Sequence, residues 1–229
     1  MGVKTYSASR DGNKYLSDHF RVREFRCKDG SDEILISDEL ITMLEKLRAK
    51  LCEDLHGEVR VNINSGYRTK AHNKKIGGST TSKHCKGLAA DIICKKDGKT
   101  VHSKYVCTAA QDLDMDGIAY ITSGSTHVDC RGYRWWADET MGNKKVSDFY
   151  AYFAIPYPAP TATVKKGDKG TPVRWMQDKL CKAGTKYKVT IDGSFGPASD
   201  KALRKYQSDN GLECDGKCGP ATRKSLSKY

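Results

Sequence analysis

Two short stretches place histidine and aspartate where they could meet. Ser82-Lys-His84-Cys-Lys-Gly87-Leu-Ala89-Ala-Asp91 leads into an apolar run, Leu88 to Ile93, broken only by Asp91. Strand side chains alternate between faces, so Gly87, Ala89 and Asp91 share one face and Leu88, Ala90 and Ile92 the other. Asp91 then stands on a face kept small around it, and a carboxylate flanked by Ala and Ile is expensive to bury without a partner. A metal ion would supply one. In Thr126-His127-Val128-Asp129, His127 and Asp129 share a strand face while Val128 points to the core. His84, Asp91 and His127 make a borderline-hard N/O set that suits Zn2+ and leaves a fourth position for water. Catalytic zinc sites keep that position open, and the metal lowers the pKa of the water to about 7.

Those residues need a scaffold. Residues 37–51 predict a helix, with Ser37 as N-cap, acids at 38 and 39, and a stripe of Leu40, Ile41, Leu44, Leu47 and Leu51. Val59, Val61 and Ile63 alternate with polar residues and read as a strand. A second helix is expected over 103–113, and short strands over 117–121 and 126–130. Helices beside a small antiparallel sheet give an α+β domain over residues 1–150. Pro156, Pro158 and Pro160 predict an extended spacer over 151–163. The remaining 164–229 carries an internal echo, Asp192-Gly-Ser-Phe-Gly-Pro-Ala-Ser and Asp215-Gly-Lys-Cys-Gly-Pro-Ala-Thr. Each is a Gly-rich turn running into Pro at a first helical turn. With a helix over 172–181, these segments predict a small three-helix bundle.

The first domain resembles the zinc D-Ala-D-Ala carboxypeptidases, a family that includes L-Ala-D-Glu endopeptidases and has a hedgehog-like fold. The resemblance covers roughly residues 15–137. It rests on Ser82-x-His84-x-x-Gly87-x-Ala89-x-Asp91, Ser65-Gly-Tyr-Arg68, Asn73…Gly77-Gly78, His127-Val-Asp129, and the entry Leu16-Ser-x-His19-Phe20…Arg23-Glu24-Phe25. It implies that His84, Asp91 and His127 bind one zinc ion. Arg68 is the expected clamp for a substrate carboxylate or developing oxyanion, a role its paired, charge-assisted donors suit. Ser82 and Tyr120 are the candidate substrate contacts, although Ser82 could equally stabilise its turn. Many family members place an acid or His two or three residues before the last zinc histidine. Here those positions are Gly124 and Ser125. Asp129 is the nearest alternative, either as general base or as the acid that fixes the His127 tautomer. Asp116 is a more distant candidate.

The last 66 residues resemble the peptidoglycan-binding domain type 1 family through Val164-Lys-Lys-Gly-Asp-Lys-Gly, Val173…Met176-Gln177…Leu180, Asp192-Gly-x-Phe-Gly-Pro, Ala202…Tyr206-Gln207…Gly211-Leu212 and Asp215-Gly-x-x-Gly-Pro-x-Thr222. Together the two resemblances imply an endolysin-like zinc peptidase that cuts a bond in the wall stem peptide and is tethered to its insoluble substrate. A non-catalytic zinc-containing wall-binding protein is the alternative, since the upstream acid is missing.

The charge agrees. Lys and Arg number 40 against 28 Asp and Glu, a net +12 in 229 residues. From Val164 onward the counts are 15 and 7, so +8 falls on the last module and points to an anionic wall polymer beside peptidoglycan. No helix-turn-helix, zinc finger or aromatic RNA-binding motif makes nucleic acid an expected partner. No stretch approaches the ~20 apolar residues of a membrane span. Met1 to Arg10 holds no apolar run, so no signal peptide is expected. The chain is read as a monomer acting in the bacterial wall, cytoplasmic until released by lysis or exported by another route. Nine cysteines, an odd number without CxxC, read mostly as buried thiols, with Cys214 and Cys218 spaced for a disulfide or half a metal site.

Overall fold

Alternation of apolar and polar residues builds the sheets. In the computed structural model, which describes residues 2–130, 132, 134–137 and 144–229, β1 (Val3–Ser7) is followed by a short α1 (Ala8–Asp11) and pairs antiparallel with β2 (Glu33–Ser37). Ser37 ends β2, and its hydroxyl accepts the Glu39 N–H at 3.2 Å, capping α2 (Asp38–Asp54). The predicted stripe Leu40, Ile41, Leu44, Leu47 and Leu51 is buried. Each such side chain contributes about 1.5–3 kcal/mol by leaving water.

The larger sheet has seven strands. β3 (Val59–Ser65) is followed by α3 (Lys70–Lys75); β4 (Ala89–Lys96), β5 (Lys99–Thr100) and α4 (Ser103–Asp112) come next. β6 (Gly117–Thr122), β7 (Ser125–Asp129), β8 (Arg134–Ala137) and β9 (Lys144–Lys145) complete it, and α5 (Phe149–Tyr152) closes the unit. The order is β3-β4-β7-β6-β8-β9, with β5 on β4. The fold is α+β, as the element pattern predicts, but the sheet is mixed: β8 pairs parallel to β6. The hairpin partner β7 already occupies one edge of β6, so β8 takes the other edge and runs in the β6 direction. One face of the sheet, with Ala90, Ile92, Ile118 and Val128, joins the buried α2 and α4 side chains in a single core. The opposite face carries the polar row described below.

The chain divides into units Met1–Phe153 and Ala154–Tyr229. Tyr152 and Phe153, the second and third residues of the expected spacer, instead pack on the first core. Their aromatic rings are the reason: Phe153 lies 6.0 Å from Phe149 and 5.1 Å from Tyr120 between centroids.

The second unit is helical: α6 (Thr171–Ala183), α7 (Pro197–Asp209) and α8 (Pro220–Leu226) enclose Val173, Met176, Leu180, Phe195, Leu203, Tyr206 and Leu226. The echo in the sequence is structural. The Gln177 carboxamide accepts the Gly193 N–H at 2.9 Å and donates to Asp192 Oδ1 and Ser199 Oγ at 2.8 and 3.0 Å. Gln207 repeats this with Gly216 at 2.9 Å, Asp215 at 2.8 Å and Thr222 at 3.1 Å. All nine cysteines are free thiols. Cys214 and Cys218 do not pair, because a bridge from Cys218 to Val164 turns Cys218 into the core while Cys214 stays exposed. Burial pushes the Cys218 thiol up to about 12. No helix among the described residues is long and apolar enough to cross a membrane.

Candidate metal centre

Register places the site. Asp91 on β4 pairs with His127 on β7, His127 with Ala119 on β6, and Ala119 with Trp136 on β8. Cross-strand partners share a face, so Asp91, His127, Ala119 and Trp136 form a row across four strands. A neighbouring row holds Ala89, Asp129, Gly117 and Arg134. The residues between the polar ones are small for a reason: a Cβ on Gly117 would lie 2.3 Å from the Asp129 carboxylate.

His84 reaches the row from a single 3-10 turn, His84–Lys86. Gly87 ends that turn at φ +67°, and a Cβ there would sit 2.4 Å from the Leu35 carbonyl oxygen. The motif glycine therefore serves both a left-handed conformation and a close backbone approach to β2.

The hydrogen bonds fix which nitrogens face the centre. His84 Nδ1 lies 2.7 Å from the Gly66 carbonyl oxygen, which can only accept. Nδ1 therefore carries the proton and Nε2 presents its lone pair. His127 Nε2 lies 2.8 Å from Asp129 Oδ2, so it donates to that carboxylate and Nδ1 presents its lone pair. The two bare nitrogens are 3.2 Å apart, and Asp91 Oδ1 lies 2.8 Å from His127 Nδ1 and 3.3 Å from His84 Nε2. Three acceptors thus converge with no donor between them. Ligands about 2.1 Å from a tetrahedral ion are separated by about 3.4 Å, so the observed triangle fits a small cation with little adjustment.

Electrostatics support the same picture. Burial opposes ionisation of Asp91, but the neighbouring His127 and His84 outweigh it and hold the carboxyl well below the usual range. Burial lowers His84, making the neutral, ligating form the favoured one. Burial would also lower His127, but Asp129 and Asp91 pull it up, so the centre attracts positive charge.

Arg68 donates through Nη2 to Asp91 Oδ2 and through Nε to Ser65 Oγ at 2.9 Å. With Ser82, His84, Asp91, His127 and Trp136 it lines an open cavity. Asn73 supports the rim loop: its Nδ2 donates to the Ser79 carbonyl at 2.9 Å. Sequence reasoning thus brings His84, Asp91, His127, Arg68 and Ser82 to one place. It misplaces Tyr120. That residue pairs with Thr126, one position out of phase with His127, and its ring packs against Phe153 and His102 on the other face. Asp129 is wholly buried behind His127 and does not line the cavity. Asp116 does not line the cavity either. Trp136 and Arg134 were missed, although the alternation in Arg134-Trp135-Trp136 already requires Arg134 and Trp136 to share a face opposite Trp135.

The Peptidase M15 family matches residues 14–129, half of the chain, and the protein belongs to that family. A putative peptidoglycan binding domain matches residues 169–226. Among solved structures, the chain is similar to the SleB N-terminal domain at 32% identity, covering 31% of this chain and 96% of that one, with a TM-score of 0.30. It is also similar to a Burkholderia AP3 phage endolysin at 37% identity, covering 28% of this chain and 24% of that one, TM-score 0.27. A fused Zn-dependent amidase/peptidase/peptidoglycan-binding domain-containing protein from Clostridium acetobutylicum shows 37% identity over 28% of each chain, TM-score 0.27. No curated protein matches.

Proposed function

We propose that the first unit is a zinc-dependent peptidase that cuts a peptide bond of the wall stem peptide, of the D-Ala-D-Ala carboxypeptidase or L-Ala-D-Glu endopeptidase type. The second unit holds it on peptidoglycan and anionic wall polymer in an endolysin-like arrangement. The observation that carries this reading is the convergence of His84 Nε2, Asp91 Oδ1 and His127 Nδ1 within 3.3 Å of one another, a donor set that a bound cation would complete. Membership of a peptidase family and the adjoining wall-binding match supply the substrate class.

His84, Asp91 and His127 would hold the ion, which supplies Lewis acidity that polarises a carbonyl and acidifies water. The protein's own residues do the rest. The Gly66 carbonyl and Asp129 set the two histidine tautomers, so both ligating nitrogens are ready before the ion arrives. Arg68 donates to the second oxygen of Asp91 and stands at the cavity wall, where its guanidinium can grip a substrate carboxylate or the oxyanion of the attacked bond. Trp136 forms an apolar wall against His127, 5.2 Å between ring centroids, and limits water around it.

Purified protein incubated with peptidoglycan and zinc should release new amino termini or D-alanine, read by mass spectrometry of the soluble muropeptides, which also names the bond. His84→Ala should reduce release at least about 100-fold, the upper range for losing an outer partner of a ligand. Release that survives His84→Ala defeats the metal assignment, and wall binding without product leaves a binding protein.

A further inference from the structure

A second arginine, Arg134, lines the cavity beside Arg68. Arg134 lies two residues before Trp136 on β8, and so on the same face. Its guanidinium carbon sits 4.8 Å from the Trp136 ring centroid, and that ring packs on His127. The ring contact fixes the cation while leaving its N–H fork for a further partner. Arg134 is exposed at the rim, and Arg68 stands at the opposite end of the row, bonded to Asp91 on β4. The path from β4 through β7 and β6 to β8 crosses three strand intervals, roughly 14 Å, or about four residues of an extended peptide. Arg68, Lys83 and Arg134 all line the cavity, and Asp91 is the one carboxylate among its described lining residues. A neutral peptide has no use for cations at both ends of the site, whereas a peptide with carboxylates on both sides of the scissile bond does.

We propose that Arg134 is a specificity residue that binds a substrate carboxylate on the β8 side of the metal centre, so that the stem peptide is held by anionic groups at both ends, one at Arg68 and one at Arg134. This rests on the peptidase reading. Arg134 acts on binding, and its loss should raise KM while leaving kcat nearly unchanged.

The test uses the full zinc-loaded chain and a soluble stem peptide, with each carboxylate replaced in turn by its carboxamide. One replacement should raise KM about tenfold in the wild type, the scale of one charge-assisted hydrogen bond. In Arg134→Gln that preference should vanish, with the acid peptide bound as weakly as the amide, and Arg134→Lys should restore part of it. Calorimetry on the metal-stripped chain should show the same acid-over-amide difference in Kd, lost in Arg134→Gln. A preference that survives in Arg134→Gln, or an equal loss on acid and amide peptides, overturns the proposal while leaving the peptidase reading intact. Failure of the wild type to cut any of the peptides overturns both.

Discussion

Each unit of this protein buries a polar cluster, and the two differ in how their hydrogen bonds close. Around Gln177 and Gln207 every contact joins a donor to an acceptor. Each carboxamide oxygen takes a glycine N–H, and each NH2 gives to an aspartate, a carbonyl and a hydroxyl. Around His84, Asp91 and His127, two bare nitrogens and a carboxylate oxygen face one another within 3.3 Å. The lesson is that burial of polar groups does not by itself mark a functional site. A closed cluster is a joint that fixes two turns to two helices. An open one, with like partners converging, is complete only when something enters it.

The largest expected effect comes from opening the closed cluster. Gln207→Ala strands the buried Gly216 N–H and the Lys217 carbonyl, and frees the Asp215 and Thr222 side chains. Stability of the second unit should fall by about 2–4 kcal/mol, read from denaturant unfolding. Zinc content and cleavage of a soluble peptide should stay at wild-type levels. A loss of zinc in Gln207→Ala would break the distinction between the clusters.

A smaller effect should follow from disturbing the open cluster at its back. Asp129→Asn keeps the size of the side chain but can offer an N–H to His127 Nε2, which favours the tautomer with a proton on the ligating Nδ1. Metal affinity or activity should drop about 10–100-fold, measured by competition with a chromophoric chelator, with the unfolding of the second unit unchanged. Full activity and affinity in Asp129→Asn would show that the tautomer is set by something else.

These differences bear on what the sequence could reveal. Spacing and period were enough for α2 and its stripe, and for the face shared by Ala89 and Asp91, because both follow from local geometry. The donor chemistry of His84, Asp91 and His127 could be named from residue type, but it was the resemblance to a known family that joined the three into one set. The pairing of strands was not legible. Tyr120 and His127 lie on neighbouring strands, and only register shows that Tyr120 sits opposite Thr126 and so faces away from the site. Register also brings Trp136 into the row, from a strand whose parallel pairing no local pattern announces. The repeated Asp-Gly turns were visible as a sequence echo, but the glutamines that close them, 15 positions before Asp192 and 8 before Asp215, were not linked to them by any regular spacing.

The smallest effect separates the units by acid. Hydrogen bonds from Lys186 and Tyr187 hold the Asp209 carboxyl at about 2. A carboxylate lowered on folding contributes stability that is present above its unfolded pKa, about 4, and is lost as pH falls through its folded value. This part of the second unit's stability should therefore survive mild acid and fade only between about pH 4 and 2. The open cluster should respond earlier, because its histidines must be deprotonated to ligate and the ordinary histidine pKa is about 6.5. On titration from neutral pH, zinc release should come first, near pH 6 and below, while amide protection in the second unit persists. Asp209→Asn should flatten the pH dependence of the second unit below pH 4 and leave the zinc-release curve where it was. A single shared transition for zinc release and second-unit unfolding would mean that the closed cluster depends on the open one.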